Sequence, residues 1–120
     1  MRLFDICVVS FGSYYAGESP DCPWEWRGSG CYDVYVECWQ EAAFSVAANS
    51  LEEALSLISD NYEKMNREYC NSCDALYYDP DSVVEYPDEE GGDGPEIFEC
   101  HFNEPVDGEN APLCYSKEVR

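Results

Sequence analysis

Positive charge is what this chain has least of. Six lysines and arginines stand against 26 aspartates and glutamates in 120 residues, a formal net charge of −20. From residue 68 to residue 116 there is no lysine or arginine at all, while fourteen carboxylates accumulate. So few bases, scattered at Arg2, Arg27, Lys64, Arg67, Lys117 and Arg120, argue against direct binding to nucleic acid, which phosphate repulsion would oppose. Histidine is nearly as scarce. His101 is the single one, and general acid–base chemistry needs such a group held beside a partner. On a strand its neighbour Cys100 points to the opposite face, so a Cys–His dyad is not expected and His101 reads as a surface residue near Glu99. Phosphate-binding, dinucleotide-binding, zinc-protease and nucleophile-elbow motifs are missing, as is the Asp spacing of an EF-hand. Carboxylates are too numerous for any catalytic pair to stand out, and the expectation is of a protein that is not an enzyme. No run of eighteen apolar residues occurs, so no membrane span is expected. The apolar stretch 3–11 is interrupted by Asp5 and too short for a secretory leader, which makes the cytoplasm the expected compartment.

Aromatic residues, by contrast, are abundant. Three tryptophans, ten tyrosines and five phenylalanines exceed what a disordered acidic tail would hold, so a packed core is expected despite the self-repulsion. The length suits one domain, residues 1–120, with a compact radius of gyration of about 14 Å. Eight cysteines, at 7, 22, 31, 38, 70, 73, 100 and 114, leave several readings open. An even number fits four disulfides in a secreted protein. Cys70 and Cys73 form a Cys-x-x-Cys pair that would need two further ligands to hold zinc. Cys7 and Cys38, in alternating apolar runs, behave as small buried hydrophobes.

Periodicity places the elements. Residues 3–11 are β-branched and aromatic and read as a central or half-buried strand. A loop marked by glycine and proline follows over 12–30, with Trp24 and Trp26 exposed or tucked over the sheet and read as capping an edge of the core in preference to a binding role. Tyr32, Val34, Val36 and Cys38, then Phe44, Val46 and Ala48, alternate with other side chains and read as a β-hairpin turning near Gln40 and Glu41. Ser50-Leu51-Glu52-Glu53 is a capping box, with Glu53 reaching back to the Ser50 amide, and opens a helix over 51–66. Leu51, Ala54, Leu55, Ile58, Tyr62 and Met65 form its apolar stripe. Short strands are expected at 75–78 and 83–86, a solvated acidic loop at 87–95, a last strand at 96–102 with Phe98, Cys100 and Phe102 on one face, and an irregular end. The class is α+β, a small antiparallel sheet of about four or five strands packed on one helix.

Over residues 32–86 the pattern resembles the small DpnD/PcfM-like family of conjugative plasmids, phages and other mobile elements. The residues that carry the resemblance are Tyr32-Asp33-Val34-Tyr35-Val36-Glu37, then Ala43-Phe44-Ser45-Val46-Ala47-Ala48-Asn49-Ser50-Leu51-Glu52-Glu53-Ala54, and the acidic segment Asp79-Pro80-Asp81-Ser82-Val83-Val84-Glu85. The cysteine loop after the helix, the first strand and the acidic tail depart from that pattern. The resemblance implies a mobile-element context and no particular chemistry.

Charge then suggests a role. Duplex DNA packs roughly twenty phosphates into about 34 Å, close to the expected diameter and net charge of this chain. If the carboxylates gather on one side, the protein would imitate nucleic acid and be steered to a basic nucleic-acid-binding protein. The expected role is that of an inhibitor blocking the groove of a host defence nuclease, a CRISPR effector first and a restriction enzyme next. Its expected contact residues are Asp79, Asp81, Glu85, Asp88, Glu89, Glu90, Asp93, Glu96 and Glu99, with no cofactor; Tyr77, Tyr78 and Tyr86 read equally as anchors and as core packing of short strands. The alternative is a zinc-stabilised protein–protein interaction module.

Overall fold

The computed structural model describes residues 1–87, 94–108 and 112–119. Two long antiparallel strands, β1 (Arg2–Glu18) and β2 (Asp33–Ala48), form its axis, and helix α1 (Leu51–Met65) follows directly. The chain then adds β3 (Ala75–Tyr78), β4 (Val84–Pro87), β5 (Glu96–Phe102), β6 (Val106–Asp107) and β7 (Lys117–Glu118). In the resulting seven-stranded antiparallel sheet, β3 and β4 lie along the outer side of β1, β5 and β6 along the outer side of β2, and β7 on β3. The α+β class is as the sequence reading has it, with more strands.

The hairpin expected within 32–48 is absent. Those residues form one strand because the buried inward positions stay in phase, 38, 40, 42, 44, 46 and 48 being all even, and no glycine or proline breaks the run. Gln40 fills the inward place that seemed to mark a turn, at 1 % exposure. It is accommodated there by polar partners. Its Nε2 donates to the Asn103 carbonyl at 2.7 Å, and its Oε1 accepts from Asn66 Nδ2 at 2.7 Å and from Asn71 Nδ2 at 2.9 Å. Beside it the hydroxyls of Ser10 and Tyr62 are bonded at 2.9 Å. The true loop spans 19–32, shorter than expected, because β1 runs on to Glu18 through Gly12 and Gly17. Gly12 is required by close approach. A Cβ there would stand 1.9 Å from the Ser72 carbonyl oxygen.

Alternation gives each strand two faces. Phe4, Ile6 and Val8 on β1 and Ala42, Phe44 and Val46 on β2 are buried beneath α1, whose Ala54, Ile58 and Tyr62 complete the core. The rings of Phe44, Tyr62 and Phe102 meet with centroids 5.3 to 6.0 Å apart. Ser50 caps the helix as expected, its Oγ accepting from the Glu53 amide at 3.2 Å. Glu53, however, reaches to the Asn49 amide rather than to that of Ser50. On β5 a bulge opposite Ser45 and Val46 makes Phe98 the extra residue. Phe98 is therefore exposed, and Ile97 takes the core place expected of it. The end of the chain, expected to be irregular, supplies β6 and β7.

The molecule is elongated, 60 × 32 × 19 Å, with a radius of gyration of 17.2 Å rather than the compact value expected from length. The extension comes from the ribbon of β1 and β2. Beyond the Tyr14–Asn71 bridge and the pairing of Cys38 with Asp107, no further strand flanks it among the described residues.

Candidate partner-binding face

Opposite α1, the other face of the sheet gathers acids. Register and alternation place Asp5 on β1, Glu37 and Glu41 on β2, Glu96 and Glu99 on β5 and Glu118 on β7 on this side. Asp79, whose amide bonds the Cys7 carbonyl at 3.2 Å, continues the same row beyond Tyr77. Among the described residues no lysine or arginine stands here. Arg2 and Lys117 share the α1 side by register, and Arg2 pairs with Glu85. Lys64 and Arg67 lie at the far end of α1, and Arg27 in the 19–32 loop. Acids also occur elsewhere, including Glu52 and Asp60 on α1, so what distinguishes the face is the absence of compensating bases.

A depression of about 250 Å³ opens at its centre, lined by Asp5, Cys7, Ala43, Ser45, Ser82, Glu99 and His101. Ser45 Oγ donates to Asp5 Oδ1 at 2.8 Å, and the Tyr86 hydroxyl donates to the other Asp5 oxygen. That bond, then burial, then the Asp5 charge push the Tyr86 phenol above its ordinary pKa. Tyr115 stands beside Glu41, Cys7 and Asp79, and Val9 is fully buried although it points to this face. Burial first, then the Glu41 charge, push its phenol up to about 12. On the α1 side of β5, by register with Phe44, the thiol of Cys100 is likewise pushed up, by burial and then by Glu99. The carboxylates and raised phenols of the face suit neutral donors and foreign cations.

The expected contact residues divide. Asp79, Glu96 and Glu99 fall on this face. Glu85 is turned to the α1 side by register with Phe4 and is ion-paired to Arg2, so it does not join them. Asp81 lies in the 3₁₀ turn Pro80–Ser82, exposed at the edge, where its amide bonds the Asp79 carboxylate at 2.9 Å. Asp88, Glu89, Glu90 and Asp93 lie outside the described residues. Tyr77 packs edge-on to Phe11, Tyr78 packs against the core, and Tyr86 is the exposed one of the three. Sequence reasoning passed over Asp5, Glu37 and Glu41 because it followed the base-free second half. The signal was present in the odd positions of the long strand.

Among the described residues no three histidine, cysteine, aspartate or glutamate side chains converge as a metal-ligand set. All eight cysteines are free. Cys70 and Cys73 each bond a backbone carbonyl instead, those of Arg67 and Ala75, and Cys73 is buried. Among the described residues no helix is long and apolar enough to cross a membrane. Comparison with protein families, with curated proteins and with solved structures finds no match for this chain.

Proposed function

We propose that this protein is an acidic inhibitor whose base-free sheet face occupies the cationic groove of a nucleic-acid-binding protein in place of nucleic acid. The observation that carries the reading is the set of carboxylates on that face with no lysine or arginine among the described residues there. From Glu37 to Ala47, the partner of Glu96, β2 advances ten residues, roughly 33 Å. One strand of a duplex carries about ten phosphates over that length. Seven carboxylates thus approach the density of a single strand and fall well short of the whole duplex, so the better-matched groove is one that grips one backbone. The resemblance to a mobile-element family supports a defence nuclease as the target, a CRISPR effector before a restriction enzyme. Asp88, Glu89, Glu90 and Asp93 join the proposal on sequence alone.

The test is displacement of labelled DNA from a guide-loaded CRISPR effector and from a restriction endonuclease, each at low and high salt. Inhibition should fall as the screening length shrinks from about 10 Å at 0.1 M to about 3 Å at 1 M. Reversal of two exposed acids, Glu96→Lys with Glu99→Lys, should slow association while leaving the fold intact. Inhibition that ignores both salt and these reversals would refute the reading.

A further inference from the structure

The free end of the β1–β2 ribbon carries aromatic side chains that the core does not use. Trp24 is 81 % exposed and Trp26 49 %, both in the 3₁₀ turn Trp24–Trp26, and Tyr15, Val34 and Tyr35 on the adjoining ribbon are exposed as well. Of the two readings of the tryptophans, capping an edge of the core is not met, since neither packs against it. The loop that holds them out is built. The Ser19 amide closes it on the Tyr32 carbonyl at 2.8 Å, the Trp26 amide bonds the Pro23 carbonyl at 2.9 Å, and Glu18 accepts from the Gly28 amide at 3.0 Å. Gly28 and Gly30 adopt positive φ, 77° and 84°, which only glycine takes without strain. Ordering a loop that leaves Trp24 in water and Trp26 half-exposed costs conformational entropy that little burial offsets. A large exposed aromatic cluster held in this way marks a contact surface.

Charge identifies the occupant. Residues 15–37 carry five carboxylates, Glu18, Asp21, Glu25, Asp33 and Glu37, against Arg27 alone. A second copy would set like charge against like, and at −20 per chain self-association through this end is opposed. An arginine-rich segment satisfies both features, because guanidinium groups stack on indole faces and pair with the carboxylates around them. Tyr35, whose ring centroid lies 5.7 Å from that of Tyr15, also continues the odd positions of β2 that hold Glu37 and Glu41, so this ring pair adjoins the acidic face. We infer that the ribbon tip is an aromatic anchor for an arginine-rich segment of the same basic protein whose groove the sheet face occupies. This inference rests on the function proposed above and assigns it a second contact. The face would govern encounter and the tip would govern residence.

The test uses the full chain and fluorescein-labelled nona-arginine as the guanidinium probe, with anisotropy for affinity and stopped flow for rates. Trp24→Ala with Trp26→Ala should weaken binding about tenfold, chiefly through faster dissociation. Glu96→Lys with Glu99→Lys should instead reduce the association rate. Because the tryptophans are exposed, circular dichroism should be unchanged, and Trp24→Phe with Trp26→Phe should recover most of the affinity. Loss in both the tip and the face variants supports both contacts. Loss in the tip variant alone upholds the anchor and removes the face. Loss in the face variant alone, or a phenylalanine variant as weak as the alanine one, overturns the anchor and leaves the face standing. A wild-type chain that does not bind the probe overturns both.

Discussion

Replacing Gln40 by leucine should unfold this protein more readily, although glutamine in a strand flanked by acids looks dispensable. The substitution removes the partners of the Asn66 side-chain amide at 2.7 Å, the Asn71 amide at 2.9 Å and the Asn103 carbonyl at 2.7 Å. Asn66 is 2 % exposed and cannot turn to water, so its orphaned group carries the full cost of about 1–3 kcal/mol. Asn71 is half-buried and Asn103 is at the surface, so each contributes at the lower end of that range. Together these come to roughly 3–5 kcal/mol, and the better burial of a leucine side chain offsets about 1–2 kcal/mol. The net loss is about 1–4 kcal/mol, a large share of the stability of an ordinary domain. With a urea slope of about 2 kcal/mol per molar, the midpoint should fall by roughly 0.5–2 M. Urea titration followed by far-ultraviolet circular dichroism measures it. A fall of less than about 0.3 M would refute the reasoning, because it would mean that residue 40 meets solvent, as a turn residue would.

Three further outcomes follow from the same geometry. Gly12→Ala places a methyl group against the Ser72 backbone and should cost at least about 1–3 kcal/mol in the same titration, with faster proteolysis. Ser50→Ala removes the hydroxyl that holds the Glu53 amide and should cost about 1 kcal/mol, measured by thermal melting. At high pH the phenols of Tyr62 and Tyr115, both raised by burial first, should ionise last in an absorbance titration at alkaline pH. A raised phenol favours the folded state while it stays protonated, so its contribution is intact below the ordinary tyrosine value of 10.0 and is lost as pH rises toward about 12, the value for Tyr115. Tyr115→Phe should therefore flatten part of the alkaline fall in stability, and an unchanged alkaline limb would count against burial of that ring.

The helix was legible from its capping serine and apolar stripe because both signals are local, and Ala54, Ile58 and Tyr62 are buried as that spacing requires. The first strand and the short strands near 75–78 and 84–87 were legible for the same reason. The long second strand was not. Its period of two continues through Gln40, but a polar residue at an inward position looks like a turn until its partners are known, and those come from Asn66, Asn71 and Asn103, up to 63 residues away. The candidate face was half legible. Glu96 and Glu99 stood out by the absence of nearby bases, whereas Asp5, Glu37 and Glu41 join them through strand pairing, which composition does not encode. Glu85 shows the converse, since proximity in sequence to other acids says nothing about the side of the sheet to which register assigns it.

The order of the strands across the sheet has a consequence for how the chain assembles. β1 and β2 are the middle pair, and every later strand joins at an outer margin: β3 and β4 beside β1, β5 and β6 beside β2, β7 beyond β3. No late arrival has to wedge between two strands already zipped together. During synthesis, which proceeds from the N-terminus at about 5–20 residues per second, the sheet can therefore accrete outward as each segment leaves the ribosome, without a partner being dislodged.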